Sequence, residues 1–395
     1  MSDFTWGSIV PLIGGETIAM ERTFGTRPEY ILSYSPFVAN DLHLLNYYDN
    51  EVPYHLIDKE EGFTPKRVDV VNAVCPCAGL SSLSPTSSAD SKTNDWMFDS
   101  AKYVFENVKP KVLWGENAPQ FATNKGTKIR EKLRDLAFEN DYSMSVIKTK
   151  SLVHGLPQIR VRSFYFFWQG MDAPLFDYYS RPHVRFEDLL RGVTSNTQRE
   201  PIGQGKPSDN KYLKFILESV RKQTFQEFYD SLEKSVGVID VIERESDWTT
   251  CAEWMEANGY DREAKSSRRR QAKLDDHKGY MKKDLVIAKD YIGAFVGHMP
   301  SSIKHPDYDR YIDYREAMTI MGLPQDFILG DPKKSTNHIC QNVPVQTATD
   351  MATEVREALL GNRKSSGHRY VVQDNIHQKV EETLYPTRTL VDFAV

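Results

Sequence analysis

Cysteine is scarce in this chain, with four in 395 residues. That is too few for a disulfide framework and fits a reducing compartment, where a cysteine is buried or catalytic more often than bridged. Long apolar runs are missing as well. No uninterrupted stretch of about 18 apolar residues occurs, which excludes a bilayer-spanning helix. The first residues, Met1-Ser2-Asp3-Phe4-Thr5-Trp6-Gly7, carry neither the basic nor the apolar region of a signal peptide. These absences argue against export and lead to the expectation of a cytoplasmic protein. An excess of basic charge is also lacking: 50 Lys+Arg against 55 Asp+Glu leave a net −5. A local basic face can still bind nucleic acid on such a chain. The rest of the composition, 40% hydrophobic and 27% charged, excludes a mainly disordered or collagen-like chain and allows two or three domains.

The first 170 residues alternate short apolar runs with helical patterns. Strands are expected near 8–13, 30–34, 68–74, 111–114 and 163–168, and helices near 16–21, 38–48, 96–108 and 127–140. That alternation predicts an α/β fold with an open, mostly parallel sheet, whose ligands bind beyond the carboxyl ends of the strands. From Gly170 the character changes. Residues 171–210 read as irregular and 211–285 as helical and densely charged. Asp261 to Lys283 holds nine Lys/Arg and four Asp/Glu, a local +5 that is densest at Arg268-Arg269-Arg270. Compact character returns after about 290, and 361–395 reads as a tail. The expected division is 1–170, 171–295, 296–360 and the tail.

Three short motifs carry chemistry. Val74-Cys75-Pro76-Cys77-Ala78-Gly79-Leu80-Ser81 ends the third expected strand, and a Ser-rich stretch follows. A cysteine at a strand end beside a loop is well placed as a nucleophile, while a buried structural cysteine is the commoner case for an isolated Pro-Cys. The Cys-x-Cys spacing has no second pair to complete a metal site, so no metal is expected. Trp114-Gly115-Glu116-Asn117-Ala118-Pro119 puts a carboxylate just past the next strand. Gln158-Ile159-Arg160-Val161-Arg162 alternates, so a strand would place residues 158, 160 and 162 on one face. Two arginines there need an anion or an acceptor-rich ligand, or else a solvated edge.

In this order the three motifs resemble the DNA cytosine-5 methyltransferase family, over residues 8–170 and again over 300–358. Arg315-Glu316-Ala317, Gly322-Leu323-Pro324 and Gln341-Asn342-Val343-Pro344 extend the resemblance. It implies a Rossmann-like methyltransferase sheet with helices on both faces, a smaller target-recognition domain over 171–295, S-adenosylmethionine as cofactor and double-stranded DNA as partner. It also implies roles. Cys77 would add to C6 of a flipped-out cytosine, Glu116 would hold the base edge and supply a proton, and Arg162 would steady the carbonyl edge. Arg160 enters with the catalytic group, although it and Gln158 read better as positioning residues. Pro76, Ser81, Asn117 and Gln158 would contact the substrate, and Arg268, Arg269 and Arg270 its phosphates. The lack of an evident regulatory domain suggests a compact prokaryotic or phage enzyme of the restriction-modification kind.

The donor end departs from the family. Where an aromatic residue and Ala-Gly-x-Gly-Gly are expected stand Val10-Pro11-Leu12-Ile13-Gly14-Gly15, and the acid expected after the second strand falls on Ser35. Asp58 matches the acid near the adenine amino group, Trp96 offers an aromatic surface, and Asn342 closes the set of donor-side candidates. Three readings follow: a methyltransferase with a remodelled donor pocket, a related enzyme adding another one-carbon group to C5, or a DNA-binding paralogue without catalysis.

Overall fold

The computed structural model describes residues 4–60, 62–75, 79–80, 91–280, 282, 284–297, 299–377 and 379–382. Its main element is a nine-stranded sheet. In chain order its strands are β1 (Trp6–Ile9), β2 (Ile31–Ser33), β3 (Tyr54–Leu56), β4 (Val70–Ala73), β5 (Val112–Asn117), β6 (Tyr142–Lys150) and β7 (Val161–Gln169). After three short strands of a second sheet, β8 (Val236–Gly237), β9 (Val286–Ile287) and β10 (Ile303–Lys304), come β11 (Tyr370–Asp374) and β12 (Lys379–Glu382). The spatial order is β12-β11-β6-β7-β5-β4-β1-β2-β3. Strands β3, β2, β1, β4 and β5 run parallel, β7 enters antiparallel between β5 and β6, and β11 is again parallel to β6.

The central strands explain themselves. All four residues of β1 and of β4 are buried, as expected for parallel strands covered on both faces. Helix α1 (Gly15–Phe24) follows β1 and stops at Gly25, whose φ of 72° suits the left-handed stop that glycine tolerates best. Helix α2 (Val38–Tyr47) follows β2. Helix α3 (Asp95–Asn107) buries Met97, Ala101, Val104 and Phe105, and α4 (Thr127–Glu139) buries Ile129, Leu133, Leu136 and Ala137. In both the spacing is that of one helical face turned to a sheet. The helix Val345–Leu359 packs on α1 and returns the chain to the main core.

The buried residues of a second hydrophobic core lie within 212–287, around Phe215, Phe228, Ile239, Trp248, Cys251 and Met255, and Tyr311 packs against it. Residues on either side of it, such as Phe176, Phe186, Leu190, Ile292 and Phe295, belong to the main core.

Several elements differ from expectation, among them the short β3 and the strands β8 and β9, in and just after a stretch expected to be helical. The nine-residue β6 went unread, because its apolar residues are interleaved with Ser, Lys and Thr. Part of the supposed tail is a strand: Tyr370 to Asp374 pair in parallel with Met144 to Lys148. Its Tyr370-Val371-Val372 is too short a run to distinguish from a loop without its partner.

Candidate functional site

At the carboxyl edge of β5, Glu116 sits opposite β7, in register with Phe164. Gly115 before it is squeezed from both sides. A Cβ there would lie 2.2 Å from the Ala73 carbonyl oxygen and 2.5 Å from the Tyr165 hydroxyl, so the Gly-Glu order is required by packing as well as chemistry. Glu116 is buried and forms an ion pair with the Arg162 guanidinium. Burial pushes its carboxyl above the usual range, and the charges of Arg162 and Arg160 pull it partly back. Next to it, Asn117 spends its Oδ1 on the Ala118 amide, and its buried Nδ2 has no partner among the described residues.

The three alternating residues 158, 160 and 162 do not act as one face. Strand β7 begins only at Val161. Arg162 turns to Glu116. Arg160 is buried and donates to the carbonyls of Phe295, Cys340 (2.8 Å) and Asn342 (3.1 Å). Gln158 donates to the Ile320 carbonyl at 3.0 Å. The need for acceptors near two arginines is therefore met internally, by a carboxylate for one and backbone carbonyls for the other. Gln158 is committed to the return segment rather than to a substrate-facing surface.

At the donor end Asn342 links two motifs. Its Oδ1 accepts from the Gly15 amide at 2.8 Å, while its carbonyl accepts from Arg160. Gly15 must be glycine, since a Cβ would meet the Val343 carbonyl at 2.2 Å. The turn ahead of it is unusual. Val10 (φ 49°) and Leu12 (φ 52°) hold left-handed conformations, as does Gly14 (φ 103°), and both apolar side chains are buried in the main core. A left-handed β-branched residue costs on the order of 1–2 kcal/mol. Val10 and Leu12 therefore give the turn its left-handed course and pack their side chains into the main core.

Asp41 of α2, which the sequence reading passed over, holds this turn. It is buried and accepts from the Ser33 hydroxyl (2.5 Å), the Tyr54 hydroxyl (2.9 Å) and the Leu12 amide. Burial raises its carboxyl to about 7 against the pull of those donors. Ser35 and Asp58 meet as a pair, with the Ser35 amide donating to Asp58 Oδ1 at 2.9 Å. Slight desolvation opposes ionisation of Asp58, and the Ser35 bonds more than offset it, so its carboxyl lies below the usual range. Trp96 packs against Tyr34 and Phe37, with ring centroids 4.8 and 5.1 Å apart. A second buried acid missed in the sequence is Glu16, in the first turn of α1. An acid at that position reads as an ordinary solvated partner of the helix dipole, and only the packing shows otherwise.

Pro76, Cys77 and Ser81 lie outside the described residues. Of the basic tract, Arg268 pairs with Glu256, through Nη2 to Oε2 at 2.6 Å. Arg270 is caged over the rings of Trp248 (4.7 Å), Tyr212 (4.8 Å) and Tyr280 (5.9 Å). Arg269 is the exposed one of the three with neither an ion pair nor a ring contact among the described residues. The run expected to grip phosphate with three arginines thus presents one freely outward, because helix geometry turns its neighbours to other faces.

A doubly wound sheet with one antiparallel strand beside β5, and a carboxylate–arginine pair at its carboxyl edge, defines a Rossmann-like methyltransferase fold. Comparison with known proteins makes this specific. The family described as C-5 cytosine-specific DNA methylase matches residues 13–357, and the chain belongs to that family. Among solved structures it is similar to a protein described as a DNA modification methyltransferase encoded within an E. coli prophage (16% identity, TM-score 0.56, covering 91% of this chain and 100% of that one). It is also similar to the Entamoeba histolytica methyltransferase EhMeth (11%, 0.53, 91% and 99%) and to a DNMT2 mutant of Spodoptera frugiperda (11%, 0.51, 89% and 100%). At these identities the likeness concerns the fold. No curated protein matches the sequence. The family implies S-adenosylmethionine as methyl donor and leads to the expectation of a DNA substrate. Among the described residues no helix is long and apolar enough to cross a membrane.

Proposed function

We propose that the chain transfers a methyl group from S-adenosylmethionine to C5 of a cytosine flipped out of DNA, through a covalent adduct between Cys77 and C6. The observation that carries this reading is the buried Glu116–Arg162 pair at the carboxyl edge of β5. Cytosine C5 is a poor nucleophile. Addition of the Cys77 thiolate at C6 makes C5 enamine-like, provided the N3 edge takes up a proton. Glu116 is suited to supply it, because burial favours its protonated form while Arg162 steadies its charge afterwards. Arg162 is also near enough to Glu116 to bind the carbonyl edge of the same base. Loss of H5 together with Cys77 restores the ring. Extrusion of the base costs a few kcal/mol, which contacts to DNA must offset.

The donor end fits a nucleoside-bearing donor in its own way. The Tyr34, Phe37 and Trp96 rings supply an aromatic wall, and the Asp58 carboxylate an acceptor beside it. When bound, S-adenosylmethionine supplies an electrophilic methyl carbon. Arg160, by way of Asn342 and Gly15, ties the base-handling motif to the donor turn and so acts as a positioning residue. The module around the second core is assigned to target recognition.

The test is expression of the wild type and Cys77→Ser in a host lacking cytosine methylation, followed by nucleoside mass spectrometry of the DNA. The wild type should yield 5-methylcytosine and the variant none. A heavier cytosine would assign a different one-carbon donor, and an unmodified pool with retained DNA binding would favour the non-catalytic paralogue.

A further inference from the structure

The sheet changes direction of winding at β1, whose neighbours are β2 on one side and β4 on the other. Ligands of such sheets sit in the crevice at this switch point. Glu16 stands one residue past the glycines, in the first turn of the helix that leaves β1. It is completely buried, and neither carboxyl oxygen makes a hydrogen bond of good geometry among the described residues. The groups that interact with it are Asn72 of β4, Cys75 past the end of β4, Glu116 of β5 with Arg162 and Arg160 behind it, and Tyr165 of β7. Of these, Glu116 is of like charge, and the Asn72 amide gives the weakest influence, toward ionisation.

A carboxylate without a partner is expensive to bury, so a group in this setting keeps its proton. Desolvation first, and then the Glu116 charge, hold the Glu16 carboxyl well above its usual range. The amino end of α1 at the same crevice carries partial positive charge, which disfavours a cation. The reading of the donor as S-adenosylmethionine creates a charge problem there. Its sulfonium is a permanent cation with no proton to donate, whereas the thioether left after transfer is neutral.

We propose that Glu16 is the counter-ion of the sulfonium: it holds its proton in the empty crevice, releases it to solvent when the cationic donor binds, and regains one when the neutral thioether remains. This inference rests on the donor reading given above. A charged Glu16 stabilises the donor and not the product, so it separates the two affinities and promotes product exchange.

Calorimetric titration of the full-length protein at pH 7, in two buffers of different ionisation enthalpy, tests it. S-adenosylmethionine should release close to one proton per site, and S-adenosylhomocysteine close to none. The affinity for the donor should rise with pH, by up to about tenfold per pH unit where a full proton is released, while that for the thioether stays level. Glu16→Gln, which preserves shape, should abolish the difference in proton release and bring the two affinities about tenfold closer. Equal proton counts for the two ligands in the wild type would overturn the proposal without need of any variant, as would a difference that survives in Glu16→Gln. If S-adenosylmethionine fails to bind while the thioether or DNA still does, the donor reading itself falls and this proposal with it.

Discussion

The two ends of one sheet edge handle charge in opposite ways. At the base end Glu116 has an arginine, and Arg160 has three carbonyls. At the proposed donor end Asp41 rests on two hydroxyls and an amide, and among the described residues Glu16 has no cation beside it. A buried carboxylate with a cation stays ready to exchange a proton, while one without prefers to be neutral. The first arrangement is the one proposed for chemistry on a base. The second is the one proposed for a pocket whose charge arrives with its ligand.

The largest expected effect that would break this contrast is at Glu116. Glu116→Gln keeps the volume and removes the proton donor, so turnover should fall by about 10²–10⁴ with DNA binding retained, read as single-turnover rates beside a binding isotherm. A loss under tenfold would deny the base end its special status. At Asp41 the effect concerns stability and has a definite sign. Its carboxyl is raised from an ordinary 3.8 to about 7 in the folded state, so the stability it contributes is fully present below about 4 and is lost as pH rises through about 7. The slope is on the order of 1 kcal/mol per pH unit across that window. Asp41→Asn should flatten that part of the thermal-midpoint profile, and an unchanged slope would remove Asp41 from the account. The smallest effects belong to the basic helix. Arg269→Ala should lower the salt slope of DNA binding by about 1. Arg270→Ala should leave that slope alone and lower the stability of the second core by about 1–2 kcal/mol through loss of its aromatic cage. The reverse pattern would return Arg270 to the DNA.

What the sequence disclosed follows the same division. Glu116 and Arg162 were legible because an identity and a spacing suffice where a side chain meets a partner in a neighbouring strand. The central strands and α1 to α4 were legible through their periodicity. Arg160 and Gln158 were readable as a pattern, yet their true partners lie some 130 to 180 positions away, at Phe295, Ile320 and Cys340, where spacing carries no signal. Asp41 and Glu16 looked like ordinary acids on amphipathic helices. Their importance comes from burial, which depends on what packs over them. Strand β11 lacked a visible partner for the same reason. Cys77 rests on its motif alone.

That strand has a consequence for how the molecule is made. The core within 212–287 is complete, in chain order, well before residue 345, so it can close while synthesis is still under way. The sheet that carries Glu116 cannot. The helix Val345–Leu359 must reach α1, and residues 370–374 must find β6 across more than two hundred positions of chain. Long-range closures of this kind are slow. The part of the protein proposed for target recognition can therefore close first, and the sheet that carries Glu116 is completed last.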